Sequence, residues 1–70
     1  MHRLATHSSN SDVRAALQLP GSPDVPEDIL AQADSMEIDG TSFTDPGEYC
    51  VFRLYDENDN ILHIARVEGY

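Results

Sequence analysis

The sequence predicts an α+β fold: one or two short N-terminal helices packed on a three-stranded antiparallel β-meander that ends in a well-defined C-terminal hairpin. Three observations carry this expectation. Apolar residues recur at helical intervals around Val13-Ala16-Leu17 and Ile29-Leu30-Ala33. After Asp39-Gly40 the apolar period drops to two. Finally, the cluster Asp56-Glu57-Asn58-Asp59-Asn60 separates two alternating runs, as a hairpin connection does. Seventy residues allow one domain with a thin core.

Residues 1–10 are polar and show no period, so they read as a flexible tail that leaves 11–70 as a single small acidic domain. Ser9-Asn10-Ser11-Asp12 has the spacing of a capping box and predicts a first helix over residues 11–19. Pro20-Gly21-Ser22-Pro23 ends it. Asp24-Val25-Pro26-Glu27 repeats the start signal, with an acid at the N-cap and proline in the first turn, and predicts a second helix over 26–35. Its apolar stripe is Ile29, Leu30, Ala33 and Met36.

Thr41-Ser42-Phe43-Thr44 is a weak strand signal and Asp45-Pro46-Gly47 a strong turn. Residues 48–55 and 61–67 are the strands of the hairpin, with 36–44 supplying the third strand that a marginal hairpin requires. If Cys50, Phe52 and Leu54 point inward, pairing Leu54 with Leu62 places Leu62 and Ile64 inward as well. The outer face then shows Tyr49, Val51, Arg53, Tyr55, Ile61, His63, Ala65 and Val67, which is more apolar than solvent favours.

Charge is distributed unevenly. Residues 26–70 hold eleven acids and two arginines, and so all of the formal charge of −9, whereas residues 1–25 are balanced. Such a surface repels nucleic acid and anionic lipid and attracts basic protein surfaces. Lysine is absent, a composition that a high-GC genome or a high-salt environment also produces. Cys50 is the only cysteine, which excludes an intrachain disulfide, suits a reducing cytoplasm and leaves a structural zinc without thiol ligands. No run of apolar residues is long enough to span a bilayer.

Motifs that carry chemistry fail on inspection. Asp56 to Asn60 matches the first positions of a calcium loop, but Ile61 stands where glycine is needed and Val67 where the bidentate glutamate belongs. A helix-turn-helix reader needs a basic second helix, and here that helix offers Glu27, Asp28, Gln32 and Asp34. Pro46-Gly47-Glu48-Tyr49, then a hairpin, then Ile64 and Arg66 resembles the opening hairpin of the nuclease family named for its Gly-Ile-Tyr and Tyr-Ile-Gly strands, yet neither triplet is present. Cys50 and His63, the pair a thiol nucleophile requires, fall on opposite faces in the expected register. The sequence therefore reads as a non-enzyme without metal or cofactor.

Two functional readings remain. In the first, the chain is an acidic protein-binding module, most sharply an inhibitor or nucleic-acid mimic of the phage or mobile-element anti-defence (anti-CRISPR) type, which blocks a basic nucleic-acid-handling protein. Its candidate contact residues are Glu27, Asp28, Asp34, Glu37, Asp39, Asp56, Glu57 and Asp59 on the acidic surface, with Tyr49, Arg53, Tyr55, Ile61 and His63 on the outer sheet face. In the second, the outer sheet face makes a homodimer or docks on a larger subunit, and the acidity is incidental.

Overall fold

The structure, a computed structural model, describes residues 2–40 and 47–68, with side chains from Ala5 onward. Along the chain run β1 (His2–His7), α1 (Asn10–Leu17), α2 (Glu27–Gln32), β2 (Ser35–Gly40), β3 (Tyr49–Tyr55) and β4 (Ile61–Glu68). The strands form one antiparallel sheet in the order β1-β2-β3-β4. The α+β class is the one expected, with four described strands in place of three.

The added strand is β1, where the sequence reading placed a flexible tail. Its residues pair with β2 from His2 against Gly40 to His7 against Met36. Ala5 and His7 are half-buried and Thr6 is exposed. An edge strand of this kind needs only modest inward side chains, so it lacks the apolar alternation that reveals a central strand.

Ser9 caps α1 as its spacing predicts, its Oγ accepting from the Asp12 N–H at 3.2 Å. The second helix is shorter than expected. Pro26, not Asp24, is its N-cap, and after Gln32 the chain extends, with the Asp34 N–H donating to the Tyr55 carbonyl at 2.8 Å. Met36 accordingly belongs to β2 and pairs with Leu54 rather than completing a helical stripe. Asn10 ties the helices together: its Nδ2 donates to the Leu30 and Ala33 carbonyls at 2.8 and 2.7 Å. Those carbonyls lie at the helix end, where intrahelical partners run out.

Both helices cover the same face of the sheet. Val13 and Ala33 join Met36, Ile38, Cys50, Phe52 and Leu54 in one buried core, with Ala65, Val67 and Leu62 packed against it. Thr41–Thr44 and the Asp45-Pro46 part of the expected turn lie outside the described residues; Gly47 has a positive φ of 81°.

The β3–β4 register corrects the expectation at one point with large consequences. Tyr55 pairs with Ile61 across a five-residue connection, as anticipated, but Leu54 then faces His63, not Leu62. Leu62 is the extra residue of a bulge, and beyond it the phase of β4 is reversed. His63, Ala65 and Val67 therefore lie on the helix-covered face, and Ile64, Arg66 and Glu68 on the open one.

Candidate functional site

The acidic end of the molecule is assembled by the β2–β3 pairing. Ser35 faces Tyr55, so the residues flanking that pair, Asp34 and Asp56, come together where α2 ends and the hairpin turns. Asp34, Asp56 and Glu57 share the wall of a concavity of about 390 Å³ with Asn10, Gln32 and Asn58. Helix C-termini favour a nearby cation, yet α2 has no basic residue in its last turn. Among the described residues, ion pairs engage Arg14 with Glu27, Arg53 with Glu37 and Asp39, and Arg66 with Glu68, and none includes Asp34, Asp56 or Glu57, although Arg14 Nε donates to Asn10 Oδ1 in the same wall at 3.0 Å.

Asp56 is a structural member of the site. Its Oδ1 accepts from the N–H groups of Asn58 and Asn60 at 2.8 and 3.0 Å, and its Oδ2 from the Asn60 side chain at 3.2 Å. Asp59, exposed, takes the left-handed conformation at φ of 63° that this turn requires. The backbone hydrogen bond from Asn60 holds the Asp56 carboxyl below the usual aspartate range; desolvation opposes this, and the Asn58 N–H and Asn60 amide add to it. With a depressed folded-state pKa, the contribution of Asp56 is present above the unfolded aspartate value and disappears as pH falls through the folded one. Acidification should therefore move the Asn58 and Asn60 amide resonances toward unfolded-chain positions below the ordinary aspartate range, and Asp56→Ala should do so at pH 7. Unchanged resonances in the variant would show that other contacts hold the turn.

The other candidate contact acids divide between two other places. Glu27, whose carboxyl is held low by the Arg14 guanidinium at 2.8 Å, and the exposed Asp28 start α2. Glu37 and Asp39 point to the open sheet face. There the Tyr55 hydroxyl donates to Glu37 Oε1 at 2.7 Å, Arg53 Nε donates to that hydroxyl at 3.3 Å, and the Arg53 guanidinium pairs with Asp39. Asp39 is buried although it lies on the uncovered side of the sheet.

The open face is thus less apolar than the sequence reading held. Of its five expected contact residues, Tyr49, Arg53, Tyr55 and Ile61 are there, but Arg53 and Tyr55 are engaged in the Glu37–Asp39 network, and Tyr49 lies under the Arg66 guanidinium, 4.0 Å from ring centroid to Cζ. His63 is not on this face: it pairs with the fully buried Leu54 on the helix side. It therefore shares a face with Cys50, against the opposite-face expectation, and is not the cross-strand neighbour of Arg53, a position Ile64 holds. Cys50 itself is wholly buried. Ile64, expected inward from the sequence, instead stands out with Ile61, the two being 57% and 56% exposed. Asn10 was also overlooked, since its role depends on helix packing that no local pattern announces.

Among the described residues there is no cluster of three or more histidine, cysteine, aspartate or glutamate side chains placed to hold a metal ion, and no helix long and apolar enough to cross a membrane. No protein-family model, curated protein or solved structure matches the chain.

Proposed function

We propose that this chain is a small cytoplasmic protein-binding module whose acidic α2–hairpin end captures a basic surface on a nucleic-acid-handling protein, and so inhibits it. The phage or mobile-element anti-defence type is the sharpest version. What supports the reading is the convergence on one concavity of Asp34, Asp56 and Glu57, none of which is ion-paired to a described arginine. A lysine or arginine side chain from a partner fits a space of that size and supplies the missing cation. The formal charge of −9 steers such a partner in and keeps nucleic acid and anionic lipid away.

The test is capture from lysate at low and high salt, followed by mass spectrometry of the bound proteins. One basic nucleic-acid-binding protein retained at low salt and lost at high salt is the expected result. Changing Asp34→Asn, Glu57→Gln and Asp59→Asn together should slow its association about tenfold. Asp56 is left intact because it holds the turn. Capture that is indifferent to both salt and these amides would overturn the reading.

A second reading rests on Ile61 and Ile64, two exposed isoleucines on the open face. If that face is a self-association surface, light scattering will show a dimer that resists high salt, and Ile61→Ser with Ile64→Ser will return it to monomer.

A further inference from the structure

A second concavity lies between β1 and the connector that follows α1. Its volume is about 300 Å³. Ala5, Ala16, Ile38 and Phe52 form its apolar walls, and Leu19, 64% exposed, stands at its rim. Ser22, also at the rim, has its hydroxyl committed to the Ala16 carbonyl at 3.0 Å. His7 completes the lining, and its Nδ1 is buried without a hydrogen-bond partner. A buried polar atom in this condition is uncommon in folded proteins, and ligand groups are one of the things that satisfy it.

We propose that this cleft binds a small uncharged apolar molecule bearing a single hydroxyl, of the phenol class, with the hydroxyl on His7 Nδ1. Size sets the first limit. The volume is at the lower end for small-molecule sites and about twice that of an engineered cavity, near 150 Å³, that takes up benzene. A substituted monocycle fills it. Charge sets the second limit. The lining contains no carboxylate to receive an ammonium group and no arginine to receive an anion, while the formal charge of −9 disfavours anions throughout. Hydrogen bonding sets the third. A hydroxyl both donates and accepts, so it matches Nδ1 in either imidazole tautomer.

The experiment is a titration of the ¹⁵N-labelled protein with p-cresol and with toluene, which differ only in the hydroxyl. Saturable shifts of the Ala5, His7, Ile38 and Phe52 amides are expected with p-cresol, at an affinity about tenfold above that of toluene. His7→Phe should erase the difference between the probes, and Ala16→Leu, which fills the cleft, should abolish both sets of shifts while leaving the rest of the spectrum in place. If His7→Phe does not fold, the ratio of the two affinities in the unaltered protein decides the role of His7. No saturable shift with either probe, equal affinities for the two, or p-cresol binding that survives Ala16→Leu would each overturn the proposal.

Discussion

Gly40→Ala is expected to remove more than half of the protein's folding stability at room temperature. Gly40 pairs with Cys50 in the middle of the sheet, and a methyl group there would meet the Tyr49 carbonyl oxygen, with Cys50 Cα at 2.8 Å and Cys50 Sγ at 3.1 Å. The first two are backbone atoms of β3 and cannot swing aside as the tip of a side chain would. Relief requires β2 and β3 to separate, which loosens the packing of Cys50 and Phe52 on β3. Overpacking that side chains can absorb costs about 1–3 kcal/mol. Where backbone must yield, about 3 kcal/mol or more is expected, against a total of about 5 kcal/mol for a domain at the small end of the range. Gly21→Ala is the matched control. Nothing lies within 4 Å of its added methyl, so only the φ of 88° is penalised, at about 1–2 kcal/mol. Urea unfolding of both variants measures the difference, and equal costs would show that the β2–β3 approach at Gly40 has room to spare.

What could be read in the sequence was what short-range chemistry decides. The Ser9 cap needs only its own next turn, and the 56–60 connection needs only Asp and Asn at the right offsets. The phase of β4 was out of reach because the strand is apolar on both sides: Leu62 and Ile64 alternate with His63, Ala65 and Val67, and neither set outweighs the other. The adjacent pair Ile61-Leu62 resolves it by serving both faces, Ile61 outward beside Tyr55 and Leu62 against the core, after which the alternation resumes reversed. β1 was hidden because its half-buried side chains among the described residues, Ala5 and His7, are small or polar. The acidic end was hidden for a different reason. Asp34 and Asp56 belong to separate elements, and only the pairing of Ser35 with Tyr55 brings them to one place. The same pairing turned Arg53 and Tyr55, read in sequence as contact residues, into parts of an internal network.

That network yields the second large effect. Arg53→Met should destabilise the fold by about 2 kcal/mol, since it removes one charged hydrogen-bonding partner from a buried carboxylate. The value sits in the lower half of the usual range because a quarter of the Arg53 side chain remains exposed and water screens part of the pair. A double-mutant cycle separates this from lost packing by the arginine stem. In the Asp39→Asn background the same Arg53→Met change should cost about 1 kcal/mol or less, the difference being the coupling between the two groups. Tyr55→Phe should cost about 1 kcal/mol, through the hydroxyl that joins Arg53 to Glu37. The cycle also bears on function. If Arg53 and Asp39 couple strongly, replacements at Arg53 or Tyr55 weaken partner binding only in proportion to unfolding, and the exposed Ile61 and Ile64 are the proper probes of the open face. Costs at Arg53 that do not depend on Asp39 would free the guanidinium for a partner and return this face to the contact surface that the sequence alone implied.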